Sequence, residues 1–189
     1  MSADVIGTDA DSDIALVELQ LGRGVEGVVA ISRRCRFGIP QAIVSAPLRA
    51  GRPFPEVFWL TCPYLLRECG RLETQETLRS IRAFLASHPE RMRELVRANA
   101  EFVKFRDVIA TGLGQSLPPG VATKGISGSA DPASVKCLHA FLAAHFAGFE
   151  TPISRIIVER LSSLECERPC IEKSHGHTPD TPEKKGRHL

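Results

Sequence analysis

Apolar and polar residues along the first third of the chain follow patterns typical of one helix and three strands. The stretch DSDIALVELQLG has apolar residues at near-helical spacing behind polar residues that can cap a helix. The β-branched runs VEGVVAISRRC and QAIVSAPL are joined by CRFGIP, which predicts a hairpin with Cys35 at its turn. A third extended run, 57–61, ends at Cys62, and Pro63 can begin a helix there. Cys62 is therefore expected at a strand-to-helix junction.

The middle of the chain is predicted to form helices and then a long loop. Residues 64–110 have helical periodicity, with Thr74 as a cap and a break at His88 and Pro89, which predicts a helical hairpin. Residues 111–130 are rich in Gly, Pro and Ser and predict an irregular loop, a kind of segment that is often functional.

A further helix is predicted for residues 132–149, because Asp131 followed by Pro132 is a strong start signal. On a helical wheel His145 falls near the centre of the apolar stripe, whereas Ala143 falls outside it and is expected to tolerate a lysine. The stripe consists of Leu138, Phe141, Leu142, Phe146 and Phe149.

The same wheel separates two residues that have the chemistry to form a site. Cys137 and His139 lie on opposite margins of the stripe, roughly 200° apart, so in a regular helix they cannot bind one metal ion together. His145 is interpreted as a core histidine bonded to a backbone carbonyl or a carboxylate, with a buried ligand or proton carrier as the alternative. One more helix is expected over residues 152–164.

These elements predict a single α+β domain over residues 11–170, with a small antiparallel sheet of about three strands packed against five or six helices. A chain of 189 residues that is 43% hydrophobic is long enough to bury one real core. Residues 1–10 and the polar tail 171–189 are expected to be disordered.

Charge and termini narrow the class of partner. A net charge of +2 gives no indication of a nucleic-acid partner, and no segment approaches the roughly 18 apolar residues of a membrane span. The acidic start MSADVIGTDADSD does not resemble a signal peptide, so a cytoplasmic location is expected. In a reducing compartment six cysteines are expected to be free thiols or metal ligands.

The main functional hypothesis is a metal site built from dispersed cysteines. Cys35, Cys62 and Cys137 are placed where chain segments commonly converge, and Cys166 or Cys170 of CERPC supplies a fourth thiolate. Four thiolates suit zinc or an iron–sulfur cluster, but compact C-x-x-C pairs are missing from the sequence. The alternative is that these cysteines are small buried hydrophobes, the interpretation adopted for Cys69.

A second hypothesis is an enzyme or binding protein for an anionic small molecule. Its candidate anion-binding residues are Arg34, Arg36, Lys124 and Lys136, which flank cysteines or precede the predicted start of the helix at 132. In this case Cys137 would be a nucleophile with His139 as its base. A third hypothesis is a structural or interaction protein that uses the hairpin 74–110 and has an unknown protein partner.

Several motifs resemble an uncharacterised bacterial family, the domain of unknown function numbered five hundred and one. They are RRCRFGIPQAI, GRPFPEVFWLTCPYL followed by RLE, and VKCLHA with a further histidine nearby. The resemblance implies no activity. It implies that the position of Cys62 accepts Cys or His, an exchange that suits a metal ligand, and that the second histidine of the helix belongs at Ala144 rather than at His145.

Overall fold

The computed structural model describes residues 10–171. The predicted disordered ends, 1–10 and 171–189, lie almost entirely outside the described residues. Within residues 10–171 the chain forms a single α+β domain, which confirms the predicted fold class. The helices are α1 Ala10–Leu21, α2 Pro63–Leu72, α3 Gln75–Ser87, α4 Pro89–Gly112, α5 Pro119–Ala122, α6 Leu138–Phe146 and α7 Pro152–Arg160, with a 3-10 helix at Ile126–Gly128. The strands are β1 Val28–Arg34, β2 Pro40–Ser45, β3 Leu48–Arg49, β4 Arg52–Pro53 and β5 Phe58–Leu60.

The main sheet has the antiparallel order β1-β2-β5, and β3 pairs with β4 in a separate ribbon. In the register of the main sheet Ile43 of β2 lies between Ile31 and Trp59. Every residue of β2 is buried, because β1 and β5 flank it and both α1 and α6 contact it. The sheet therefore provides a rigid base for the helices.

The structure confirms the predicted helix cap at Thr74, the helix break at His88 and Pro89, and the positions of two cysteines. Thr74 caps α3 by accepting a hydrogen bond from the backbone N–H of Thr77, and Pro89 begins α4 directly after the break at His88. Cys35 lies at the hairpin turn and Cys62 is the N-cap of α2, both as predicted.

The long loop after α4 is tied to the domain by two buried side chains of that helix. The guanidinium of Arg106, with no exposed surface, donates to the carbonyls of Pro55, Ala122 and Lys124. Asn99 accepts from the N–H of Ile126 and donates to the carbonyl of Pro132. Because buried polar groups need partners, these bonds fix the path of the loop.

Helix α6 begins at Leu138, six residues later than predicted. Asp131 and Pro132 lie in a turn, in which the Asp131 carboxylate accepts from the N–H of Ala133. The one-sided stripe is also wrong, since Ala143 and Ala144 have no exposed surface. The sheet, α2, α7 and the 3-10 helix pack around α6, which is therefore buried on nearly every side.

No helix in residues 10–171 is long and apolar enough to cross a lipid bilayer.

The burial of α6 gives a direct prediction. Ala143→Lys should lower the free energy of unfolding by at least about 4 kcal/mol, because it places a charge where no surface is exposed. The exposed Ala100→Lys in α4 is the matched control and should change it by less than about 0.5 kcal/mol. Urea denaturation measures both, and equal stabilities would contradict the placement of α6.

Candidate functional site

The start of α6 brings Cys137 and His139 together. Cys137 is the N-cap residue, with an extended backbone at φ −136° and ψ 112°. Its side chain therefore does not follow the helical wheel, and its Sγ lies 3.9 Å from Nδ1 of His139. The prediction that these two residues cannot share an ion is wrong, because it assumed that both were helical.

Glu73, which directly follows α2, completes the group. Its Oε2 accepts a hydrogen bond from the backbone N–H of Leu138 at 2.6 Å and lies 2.9 Å from Nδ1 of His139. A carboxylate at this position satisfies one of the free N–H groups at the start of α6 and interacts favourably with the positive end of the helix dipole. The protein thus supplies its own anion at this helix N-terminus.

Both ring nitrogens of His139 face acceptors. Nε2 lies 3.0 Å from the carbonyl of Leu66, so it must carry the proton and donate. The contact with Cys137 raises the pKa of His139 to about 9. Burial opposes this shift, whereas the Leu66 carbonyl and Glu73 reinforce it. Without a metal ion the ring is therefore an imidazolium, with Nδ1–H donating toward Glu73 and Cys137.

These three side chains have the geometry of a metal site. One ligand atom from each of Glu73, Cys137 and His139 lies within 4.8 Å of the other two. The bond from Nε2–H to Leu66 is the kind of outer contact that orients a ligating imidazole through its other nitrogen. A Cys–His–Glu relay fits less well, because Cys137 and Glu73 both approach Nδ1, whereas a relay needs them on opposite nitrogens.

A cavity of about 340 Å³ adjoins the site, and Cys137 and His139 form part of its wall. The rest of the lining is apolar except for Glu56 and Ser127; it includes Phe58, Trp59, Leu60, Leu66 and Ala140. A small, mostly apolar cavity with a few polar groups is the usual form of a ligand site.

One of the two polar groups of this cavity, Ser127, has an unusual backbone conformation and is hydrogen-bonded to the other, Glu56. Ser127 has φ 63°, a left-handed conformation that is uncommon for a residue other than glycine, and its buried hydroxyl has no hydrogen-bond partner. Its backbone N–H donates to Oε2 of Glu56 at 2.5 Å, while Oε1 accepts from the N–H of Phe58. Backbone strain of this kind is concentrated at functional sites.

Glu56 has strongly altered protonation. Burial raises the pKa of Glu56 to about 7, against the opposing effect of the backbone N–H groups of Phe58, Ser127 and Val57 and of the charge of Arg106. A carboxyl group that titrates near neutral pH beside a cavity is suited to accept or donate a proton.

The five cysteines from which a four-thiolate site was predicted are divided between the two ends of α2. Sγ of Cys62, at the N-cap, lies 3.9 Å from Sγ of Cys166, whereas Glu73 and Cys137 lie beyond the last turn of the helix. At 1.5 Å per residue α2 separates Cys62 from Glu73 by about 16 Å. Cys137 therefore cannot share an ion with Cys62, and the single site predicted from the sequence is wrong in this respect.

The remaining cysteines fall at one end or the other. Cys35, Cys62 and Cys170 lie near Cys166, and all six cysteines of the chain are free thiols. Cys69 lies on α2 one turn before Glu73 and is fully buried, in keeping with a packing role. Burial raises the pKa of Cys69 to about 12, with smaller contributions from Glu73 and Cys137, so this thiol borders the site.

The four predicted anion-binding residues have separate surroundings. Arg34 is paired with Asp13 through both of its terminal nitrogens, and Arg36 contacts the carbonyl of Cys166. Lys124 is half-buried in the loop and Lys136 is exposed beside Cys137. An anion site made from these residues remains a prediction, and its expected location at a helix start near 132 is wrong.

His145 does not have the partner expected of a core histidine. It is half-buried, and its Nδ1 is buried without a hydrogen-bond partner. Burial lowers the pKa of His145. Glu150 opposes this shift and Arg33 adds to it, so the ring is neutral near pH 7.

Two residues of the site were not selected from the sequence. Glu73 stands in the motif RLE immediately before the Thr74 cap, a position that indicates only the end of a helix. Glu56 lies in FPEV, where no local pattern points to chemistry. Both acquire their roles from contacts with residues more than 60 positions away along the chain.

Comparison with known proteins identifies the family. The model of the family described as "Protein of unknown function (DUF501)" matches residues 31–159. The chain belongs to the DUF501 family. Neither the curated proteins nor the solved structures contain a match. Glu56, Glu73, Cys137 and His139 lie within the part of the chain that matches the DUF501 family, whereas Cys166 and Cys170 lie beyond it.

The raised pKa of Glu56 predicts a specific pH dependence. Because the folded state holds this proton more tightly, the contribution of Glu56 to stability falls as pH rises from about 4.5 to about 7. The loss is at most about 3 kcal/mol. In Glu56→Gln this part of the slope should disappear, as measured by urea denaturation across that pH range.

The control for this pH series is Glu101→Gln, at an exposed position of α4. It should keep the slope of the parent protein. Parallel curves for the parent and for Glu56→Gln would show that this carboxylate is not desolvated in the folded state.

Proposed function

We propose that this protein binds one divalent transition-metal ion, with zinc the best match, through Glu73, Cys137 and His139. The observation that carries the proposal is the convergence of a carboxylate, a thiol and an imidazole within 4.8 Å. These side chains come from two segments that are remote in sequence. Their convergence needs both α2 and α6 in place, so it is a product of the fold rather than of local spacing.

The ligand types select the class of ion. Thiolate and imidazole suit zinc and related transition metals, whereas magnesium and calcium prefer oxygen ligands. Zinc sites with three protein ligands leave a coordination position open, in contrast to the four-ligand sites that only stabilise a fold. The proposed site therefore belongs to the class that performs chemistry.

The adjoining cavity supports a reaction rather than storage. Bound zinc supplies a water molecule of lowered pKa. Glu56 lines the same cavity and its carboxyl group titrates near neutral pH, which suits it to move a proton. Hydrolysis of a small, largely apolar substrate is the reaction class that these groups support.

An alternative function keeps the same residues without a metal ion. Cys137 beside the His139 imidazolium is an arrangement that cysteine nucleophiles use, and the contact of 3.9 Å favours it. The ligand would then be an anionic small molecule, as in the second sequence-based hypothesis. The position of Glu73 on the same ring nitrogen as Cys137 favours the metal site over this alternative.

The metal site can be tested by titration with cobalt(II), read from the thiolate-to-cobalt absorbance, and by zinc content per chain. Glu73→Gln, Cys137→Ser and His139→Ala should each weaken binding by more than about 100-fold, since each removes a direct ligand. The parent chain should carry alanine at His175, His177 and His188, because imidazole is a metal ligand and these histidines would compete with the site.

The matched control is His145→Ala, which removes the other histidine of α6 and should keep the full affinity. Melting temperatures confirm that each variant is folded. If His139→Ala bound cobalt as tightly as His145→Ala, the proposal would be wrong. The nucleophile would be favoured instead if zinc failed to protect Cys137 from alkylation while His139→Ala slowed that alkylation.

A further inference from the structure

A second group of thiols lies at the opposite end of α2. Sγ of Cys62 and Sγ of Cys166 are 3.9 Å apart and both residues are buried. Cys35 is buried on the hairpin turn, and Cys170 is exposed, with its Sγ 3.6 Å from Nε2 of Gln20. A cavity of about 770 Å³ is bordered by Cys166 and Cys170 themselves and by the residues that follow Cys35 and Cys62, namely Arg36 and Pro63.

Polar contacts hold the segment that carries two of these cysteines. Residues 162–171 have no helix or strand, yet Nε2 of Gln41 donates to the carbonyl of Leu164 at 2.7 Å. Glu165 accepts from the backbone N–H of Arg36 and from the guanidinium of Arg33. These bonds place Cys166 against Cys62, so the approach of the two thiols does not depend on apolar burial alone.

The other three thiols of this group all lie close to Cys166: they are Cys35, Cys62 and Cys170. Thiolate is a ligand that zinc prefers, so the group has the donor atoms of a zinc site.

We infer that Cys35, Cys62, Cys166 and Cys170 form a second, structural zinc site that fastens the segment after α7 to the edge of the sheet. A tetrahedral zinc ion with Zn–S bonds of about 2.3 Å needs sulfur atoms about 3.8 Å apart. The pair formed by Cys62 and Cys166 has this spacing before any ion is bound. Cys35 and Cys170 would supply the other two thiolates. Their sulfur atoms would have to move toward Cys62 and Cys166 to bind the same ion, because within residues 10–171 only Glu73, Cys137 and His139 form a group of three potential ligands whose atoms already lie within 4.8 Å of one another.

This inference is independent of the proposed function, because α2 separates the two groups by about 16 Å. The two sites also differ in kind: four thiolates leave no open position, so this site stabilises the fold and performs no reaction. Since two of its ligands lie beyond the residues matched by the family, the site is a feature of this chain that the family match does not cover.

The inference can be tested by zinc stoichiometry on protein purified with reductant and with the tail histidines replaced. Cys62→Ser and Cys166→Ser should each lose one zinc ion per chain relative to the parent, and Cys69→Ser should lose none. A glutamate-specific protease should also cleave Cys62→Ser after Glu165 and Glu167 at least tenfold faster than it cleaves the parent protein, because the segment is released.

The outcomes of the two proposals are separable. If only His139→Ala loses zinc, this inference is overturned and the proposed function stands. If only Cys62→Ser and Cys166→Ser lose zinc, the inference stands without the proposed function. Brown protein with iron and sulfide that Cys62→Ser abolishes would overturn the assignment of zinc. If Cys62→Ser does not fold, zinc can instead be removed from the parent protein with a chelator. Protease sensitivity that is unchanged after chelation would count against the site.

Discussion

The candidate site depends on the interaction between the carboxylate of Glu73 and the N-terminus of α6. One oxygen atom accepts from the N–H of Leu138 and contacts His139, so a single group satisfies the start of the helix and orients the imidazole. Burial leaves few other partners for that helix end, and an unsatisfied N–H there would be costly. The requirement that stabilises the fold is thus also the one that assembles the proposed ligands.

Helix α6 imposes this arrangement because nearly all of its surface is buried. Its axis is fixed by the sheet, by α2 and by α7, so its first residue can lie in only one place. The loop held by Arg106 and Asn99 must then reach that place in an extended conformation, which turns Cys137 toward His139. The same loop carries Ser127 to Glu56, so the cavity and the ligands have a common structural origin.

The sequence predicted those features that are encoded by adjacent residues. The Thr74 cap, the break at His88 and Pro89, the turn at Cys35 and the junction at Cys62 follow from local backbone preferences, and all are confirmed. The predicted start of α6 is wrong because Asp131 and Pro132 also favour a turn, and only the packing of the helix distinguishes the two. That error of six residues made Cys137 helical and separated it from His139.

The site's acidic residues could not be found in this way. Glu73 and Glu56 look like ordinary surface glutamates in the sequence, and their partners are supplied by tertiary contacts. The prediction that Cys137 shares one four-thiolate site with Cys62 failed for a related reason, since sequence order does not show that α2 lies between these two residues. The spacing of cysteines in the sequence can suggest metal ligands, but the length of α2 determines which of them lie close enough to bind one ion.

X-ray absorption at the zinc edge tests the central claim most directly, because it reports the atoms bound to the metal ion. The sample is zinc-loaded protein in which serine replaces Cys62 and Cys166 and alanine replaces His175, His177 and His188, so that only the site at Glu73 remains. Zinc bound by Glu73, Cys137 and His139 should show one sulfur atom at about 2.3 Å together with nitrogen and oxygen atoms at about 2.0–2.2 Å. A shell of sulfur atoms only, or one of nitrogen and oxygen without sulfur, would contradict it.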